Sequence, residues 1–159
     1  MIKYNNKKGF SLPELLAVMA IMAVLAVISA PFIRDYMRDA EHDRAATILQ
    51  LIAHGVKTFR ADYPRATLTG GEINAATAPI ACTTILDRTG TYAVGILLGC
   101  NYIQGLNFTG HSTRYTFYAG QCPGVAASAG ALACMRGIGK HASYGATWIT
   151  AHGEVMNNL

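Results

Sequence analysis

The sequence predicts an α+β fold in which one long N-terminal helix lies against a small antiparallel sheet, a ladle in outline. Three observations carry that prediction. An uncharged apolar stretch, Leu15 to Ile33, opens the chain. A stretch of helical periodicity follows it directly. Short runs of alternating character, separated by Gly and Pro, occupy the C-terminal third.

The first nine residues, MIKYNNKKG, are polar and basic and contain no acid. The net charge is +4, and Lys3, Lys7 and Lys8 supply most of it. Without them the ten remaining basic residues exceed the nine acids by one. The basic pI therefore belongs largely to this leader and is weak support for nucleic-acid binding.

The stretch from Leu15 to Ile33 is apolar all round and long enough to cross a bilayer. An ordinary secretory signal is cut after its apolar region. Here the candidate cut after "VISA" would leave Pro31 next to the scissile bond. The other boundary, Gly9 before Phe10, precedes the apolar run, so a cut there keeps the greasy segment in the mature chain. Glu14 stands alone at the head of that segment. A carboxylate in lipid costs several kcal/mol, on the order of 2.5–3.5, unless it is paired.

The run Lys7-Lys8-Gly9-Phe10-Ser11-Leu12-Pro13-Glu14-Leu15-Leu16 resembles the prepilin-type N-terminus of type IV pilins and type II secretion pseudopilins. The resemblance extends over residues 3–60 and includes Pro31 near the end of the apolar part. Pro13 stands where Ile is commoner. A first helical turn tolerates it, because its N–H groups lack partners in any case. The resemblance implies cleavage of Gly9–Phe10 by a prepilin peptidase and N-methylation of Phe10. It implies that Glu14 meets the new amine of a neighbouring subunit during assembly, since amine and carboxylate are tolerable together in apolar surroundings. It implies a subunit of a pilus (fimbrium) or pseudopilus that is single-pass in the inner membrane before assembly. After assembly the subunit sits in an extracellular or periplasmic filament. The implied partners are other pilins, a platform protein and an assembly ATPase. The domains read as a leader at 1–9, a membrane-spanning or filament-core helix half at 10–33, and an amphipathic helix half with a globular head at 34–159.

The helix continues from Leu12 to about Tyr63. Beyond Arg34 it turns amphipathic. Ala45, Ile48, Leu49, Ile52, Val56, Phe59 and Tyr63 form one stripe that packs on the head. Two weak points are expected: Pro31, with a kink or local melting between Val24 and Pro31 in a fibre, and Gly55. The mixed charges from Arg34 to Arg44 read as a solvated surface or as inter-subunit ion pairs.

Tyr63-Pro64-Arg65 ends the helix, and the Thr-, Ala- and Gly-rich segment Ala66–Pro79 reads as a surface loop. Tyr92–Ile103 suits a short helix or a buried turn. Arg114–Ala119, Ala131–Arg136 and Ala146–His152 read as strands, with a turn at Gln121–Gly124. Three or four such strands laid on the helix stripe would cover it.

Cys82, Cys100, Cys122 and Cys134 form an even set without a C-x-x-C pair, which indicates two disulfides and an oxidising compartment. Three connectivities are open. Short loops close most easily and favour Cys82–Cys100 with Cys122–Cys134. The second bridge is similar to the disulfide-bounded C-terminal region of many pilins.

The motifs of catalysis are missing from the sequence. Gly137–Ser143, GIGKHAS, is not a phosphate loop, because position 134 is Cys and His141 follows Lys140. His42, His54, His111, His141 and His152 are scattered, and no metal or cofactor is called for. Asn107-Phe108-Thr109 matches a glycosylation acceptor of low information. The expectation is a structural protein and not an enzyme. A second reading is a minor pilin that binds DNA, a surface or a secreted substrate at the fibre tip. For DNA it would use Arg114, Arg136 and Lys140 with Tyr115, Tyr118 and Tyr144. A membrane-anchored periplasmic enzyme is a distant third.

Overall fold

The computed structural model describes residues 11–85, 89–104 and 114–158. The chain divides into two compact units, Met1–Ala40 and Glu41–Leu159. Helix α1, Leu12–Asp62, supplies residues to both and is helical through Pro31 and Gly55.

In the first unit every described residue from Ser11 to Asp39 is exposed. The exposed residues include large apolar side chains such as Leu15, Ile21, Leu25 and Phe32, the last 70% accessible. Each such side chain gains about 1.5–3 kcal/mol on leaving water. A surface like this is built for lipid or for other helices. The helix is long and apolar enough here to cross a membrane.

In the second unit α1 buries Ala45, Leu49, Ile52, Ala53, Gly55, Val56 and Phe59. This is the expected stripe, with Ile48 and Tyr63 at its half-buried margins. Gly55 has a spatial role. The Ile103 side chain lies where a Cβ at this position would be, so the missing side chain lets the segment after the second helix seat on α1.

After α1 come β1 (Thr67–Leu68), β2 (Gly71–Ile73), β3 (Thr91–Tyr92), the short α2 (Gly95–Gly99), β4 (Tyr115–Ala119), β5 (Ala133–Gly137), β6 (Ala146–Ile149) and β7 (Val155–Asn158). β1 and β3 form a small parallel pair, joined also by Thr67 Oγ1 and Thr91 Oγ1 at 2.9 Å. The main sheet has the order β2-β4-β5-β6-β7 and is antiparallel throughout. Two features depart from the sequence reading. Ala66–Pro79 is not all loop, because β1 and β2 lie within it. The sheet also has five strands, of which β7 was not anticipated. β1 and β2 are too short to alternate visibly and pair with strands distant in sequence, and β7 has no buried face to show in the pattern.

The period of two in β4 sets the two faces of the sheet. Tyr115, Phe117 and Ala119 join Ala133, Met135 and Ile149 in the core shared with α1. On the other face Tyr118, Cys134 and Trp148 are cross-strand neighbours. They form a second small cluster with Cys122, Val125, Ala131 and Ala146. The β4–β5 connection folds back to cover this face. This is why β6 is buried on both sides, against the usual half-exposed pattern of an antiparallel sheet.

Candidate functional site

The first turn of α1 carries the residues singled out by the sequence. The Ser11 backbone N–H donates to Glu14 Oε2 at 2.8 Å, and the Ser11 hydroxyl donates to the same oxygen at 2.8 Å. Ser11 is thus an N-cap and Glu14 the acidic third residue that reaches back, half of a capping box. The S-x-x-E spacing is a readable signal of this arrangement that the sequence reading passed over. Pro13 fits here because its nitrogen needs no partner in a first turn. Glu14 is exposed, and its carboxylate is held by the helix start to which it belongs. Gly9 and Phe10, the expected cleavage and methylation positions, lie outside the described residues, as do Lys3, Lys7 and Lys8. Pro31 lies inside unbroken helix.

The sulfur atoms of Cys82 and Cys100 are bonded, with Cα atoms 4.8 Å apart. Those of Cys122 and Cys134 are also bonded, at 5.4 Å. The first bridge ties a single 3-10 turn to the end of α2. The second lies within the small outer cluster beside Trp148.

The proposed basic-aromatic patch is not assembled as a surface. Tyr115 is 1% exposed and cannot stack on a base. Its hydroxyl meets His141 Nδ1 at 3.1 Å. Arg114 forms an ion pair with Glu41, and Glu41 Oε2 also lies 3.5 Å from His141 Nε2. Tyr144 stacks on His42 with ring centroids 4.5 Å apart. Tyr118 packs into the outer cluster. Arg136 is exposed on the outer face, Arg114 is exposed but held in its ion pair with Glu41, and the Lys140 side chain lies outside the described residues. Arg114, Tyr115 and Tyr144 instead join His141 in a network that binds the start of β4 and the turn Gly139–Tyr144 to Glu41 and His42 of α1. Its members are up to a hundred positions apart, and no local signal announces them.

Tyr102 closes the other end of the head's helix, donating to Asp62 Oδ2 at 2.7 Å. Burial first, then the hydrogen bond to Asp62 and its negative charge, push the phenol well above its ordinary value. Among the described residues no group of three or more His, Cys, Asp or Glu is arranged to hold a metal ion. His111 and Asn107-Phe108-Thr109 lie outside them.

Against known families, residues 4–30 match the prokaryotic N-terminal methylation motif. The motif is the signature of type IV pilins and pseudopilins. The match takes in the leader, Ser11, Glu14 and the apolar helix up to Ala30, so the capped turn described above lies inside it. Families that carry this pilin-type motif are structural and not enzymatic. The motif supports a pilin- or pseudopilin-like subunit of the kind that is processed at its N-terminus. No curated protein and no solved structure matches the chain.

Proposed function

We propose that the protein is a filament subunit of a type IV pilus or a related pseudopilus. Prepilin peptidase cuts Gly9–Phe10 and the Phe10 amine is methylated. The apolar half of α1 then holds the subunit in the inner membrane until it moves into the fibre core. Glu14 accepts the positive amine of a neighbouring subunit, so that two costly charges neutralise one another in apolar surroundings. Packing apolar helices in lipid gains little from the hydrophobic effect. Extraction therefore needs a platform protein and an ATPase. The observation that carries this reading is the methylation motif set on a helix whose N-terminal half exposes its apolar side chains all round.

Mass spectrometry of the assembled protein tests it. The expected mature chain begins at methylated Phe10, and an intact Met1 in fibres would overturn the reading. Glu14→Ala is expected to insert and be processed normally but to enter fibres at a small fraction of the wild-type level. Equal incorporation in a mixed expression experiment would remove the role given to the carboxylate.

A further inference from the structure

The sheet ends on a strand with one side open. β7 is the last strand in the order β2-β4-β5-β6-β7, and all four of its residues are exposed. Val155 is 51% and Met156 45% accessible. Natural edge strands are usually blunted by charge, proline or a bulge. Val155-Met156-Asn157-Asn158 carries none of these, and its only such device is its shortness, four residues.

The register fixes which backbone groups face outward. Thr150 N donates to Glu154 O at 2.9 Å and Gly153 N to Thr150 O at 2.9 Å, with Gly153 at φ 89°. This is a three-residue hairpin loop closed by a hydrogen-bonded pair at 150 and 154. Antiparallel ladders alternate bonded and non-bonded pairs. The pair Ile149–Val155 is therefore non-bonded, Trp148–Met156 bonded and Thr147–Asn157 non-bonded. Ile149 O accepts from Leu132 N on the β5 side, as this alternation requires. The N–H and C=O groups of Val155 and Asn157 accordingly point away from the sheet. The side chains of these two residues share the face that carries Ile149 toward α1.

Beside this edge lies a groove of about 200 Å³. Ala53, Leu132, Ile149 and Val155 line its apolar part, and His54 and Lys57 of α1 line its polar part. Among the described residues no acid lines it, although Glu154 lies in the chain between the lining residues Gly153 and Val155. A row of outward N–H and C=O groups is matched by another extended backbone and by little else. A groove whose described lining holds a lysine and no acid favours a carboxylate on the side chain that enters it.

We infer that β7 is a strand-addition site. It takes an extended segment of another polypeptide, which bonds to Val155 and Asn157 and places an Asp or Glu side chain in the groove near Lys57. The contact is short and of the transient class.

The test uses the full chain in detergent micelles and the peptide acetyl-Thr-Val-Asp-Val-Thr-amide, with a Lys-for-Asp peptide as counterpart. Residue-resolved amide exchange is the readout. The Asp peptide is expected to slow exchange at Val155 and Asn157 and to leave Met156 and Asn158, already bonded to β6, unchanged. Asn157→Pro removes an outward N–H that edge positions can lose without harm and is expected to abolish the effect. Lys57→Glu leaves the edge intact and is expected to weaken the Asp peptide by about fivefold, as for an exposed ion pair. It should favour the Lys peptide instead. Four outcomes would each overturn the inference: no protection, equal protection at all four residues, equal binding of the two peptides, or protection that grows with protein concentration in the absence of peptide.

Discussion

Gly55 shows how one missing side chain sets a contact. Glycine in a helix interior costs about 0.8–1 kcal/mol relative to alanine. Here that loss admits Ile103 against the helix backbone, and both residues are buried. Gly55→Leu is expected to destabilise the head by about 1–3 kcal/mol through overpacking, measured by denaturant unfolding. Gly55→Ala combined with Ile103→Ala is expected to cost less than the sum of the two single changes, because the closer collision, with the Ile103 side chain, disappears while that with the Tyr102 carbonyl remains. Tyr102 makes a different kind of contact, and its test is alkaline pH. Its folded-state value is raised, so the unfolded chain ionises first, near pH 10. The stabilisation is fully present below that pH and is lost as pH rises beyond it. Tyr102→Phe should cost about 0.5–1.5 kcal/mol at pH 8, and the gap from wild type should close above pH 10. A gap that widens there would contradict the assignment of the hydrogen bond to Asp62.

At the scale of elements, α1 was the most legible part of the chain. Its stripe from Ala45 to Phe59 repeats at helical spacing, and its end at Tyr63-Pro64 falls where proline forces one. β4 and β6 were also readable, since aromatics alternate with polar residues in Arg114–Ala119 and β-branched and aromatic residues gather in Ala146–His152, whereas β5 showed more weakly in Ala131–Arg136. β1, β2 and β3 were not, because two- and three-residue strands are too short to show a period. β7 was missed for another reason: all of its residues are exposed, and a strand without a buried face leaves no hydrophobic pattern. The site divides in the same way. Glu14 could be read from a local motif, whereas the Glu41–Arg114–His141 network depends on contacts made only by the folded chain. Pro31 also belongs to this scale. α1 is helical through it, so a lone subunit tolerates the lost hydrogen bond, and melting between Val24 and Pro31 is proposed for the fibre alone. Amide exchange at residues 24–30 is expected to be faster in fibres than in micelle-bound subunits, and Pro31→Ala should reduce the difference. Equal exchange in the two states would remove the proposal.

For the whole molecule, the division near Ala40 separates a surface made for an apolar solvent from one with its own core. Among the described residues, all of the buried core belongs to Glu41–Leu159. A fragment of residues 34–159 is therefore expected to be soluble without detergent and to unfold in one cooperative transition. The full chain should need a micelle. A fragment that aggregates or melts without cooperativity would show that the N-terminal residues contribute to the head's stability. The head also contains its own optical reporter. The chain has a single tryptophan, and its cross-strand neighbour is Cys134, which is bridged to Cys122. Disulfides quench indole emission at close range, so the oxidised protein should fluoresce dimly and brighten when a reductant opens this bridge. Light from one ring would then reveal, in the purified protein, what fraction of copies has this bridge closed.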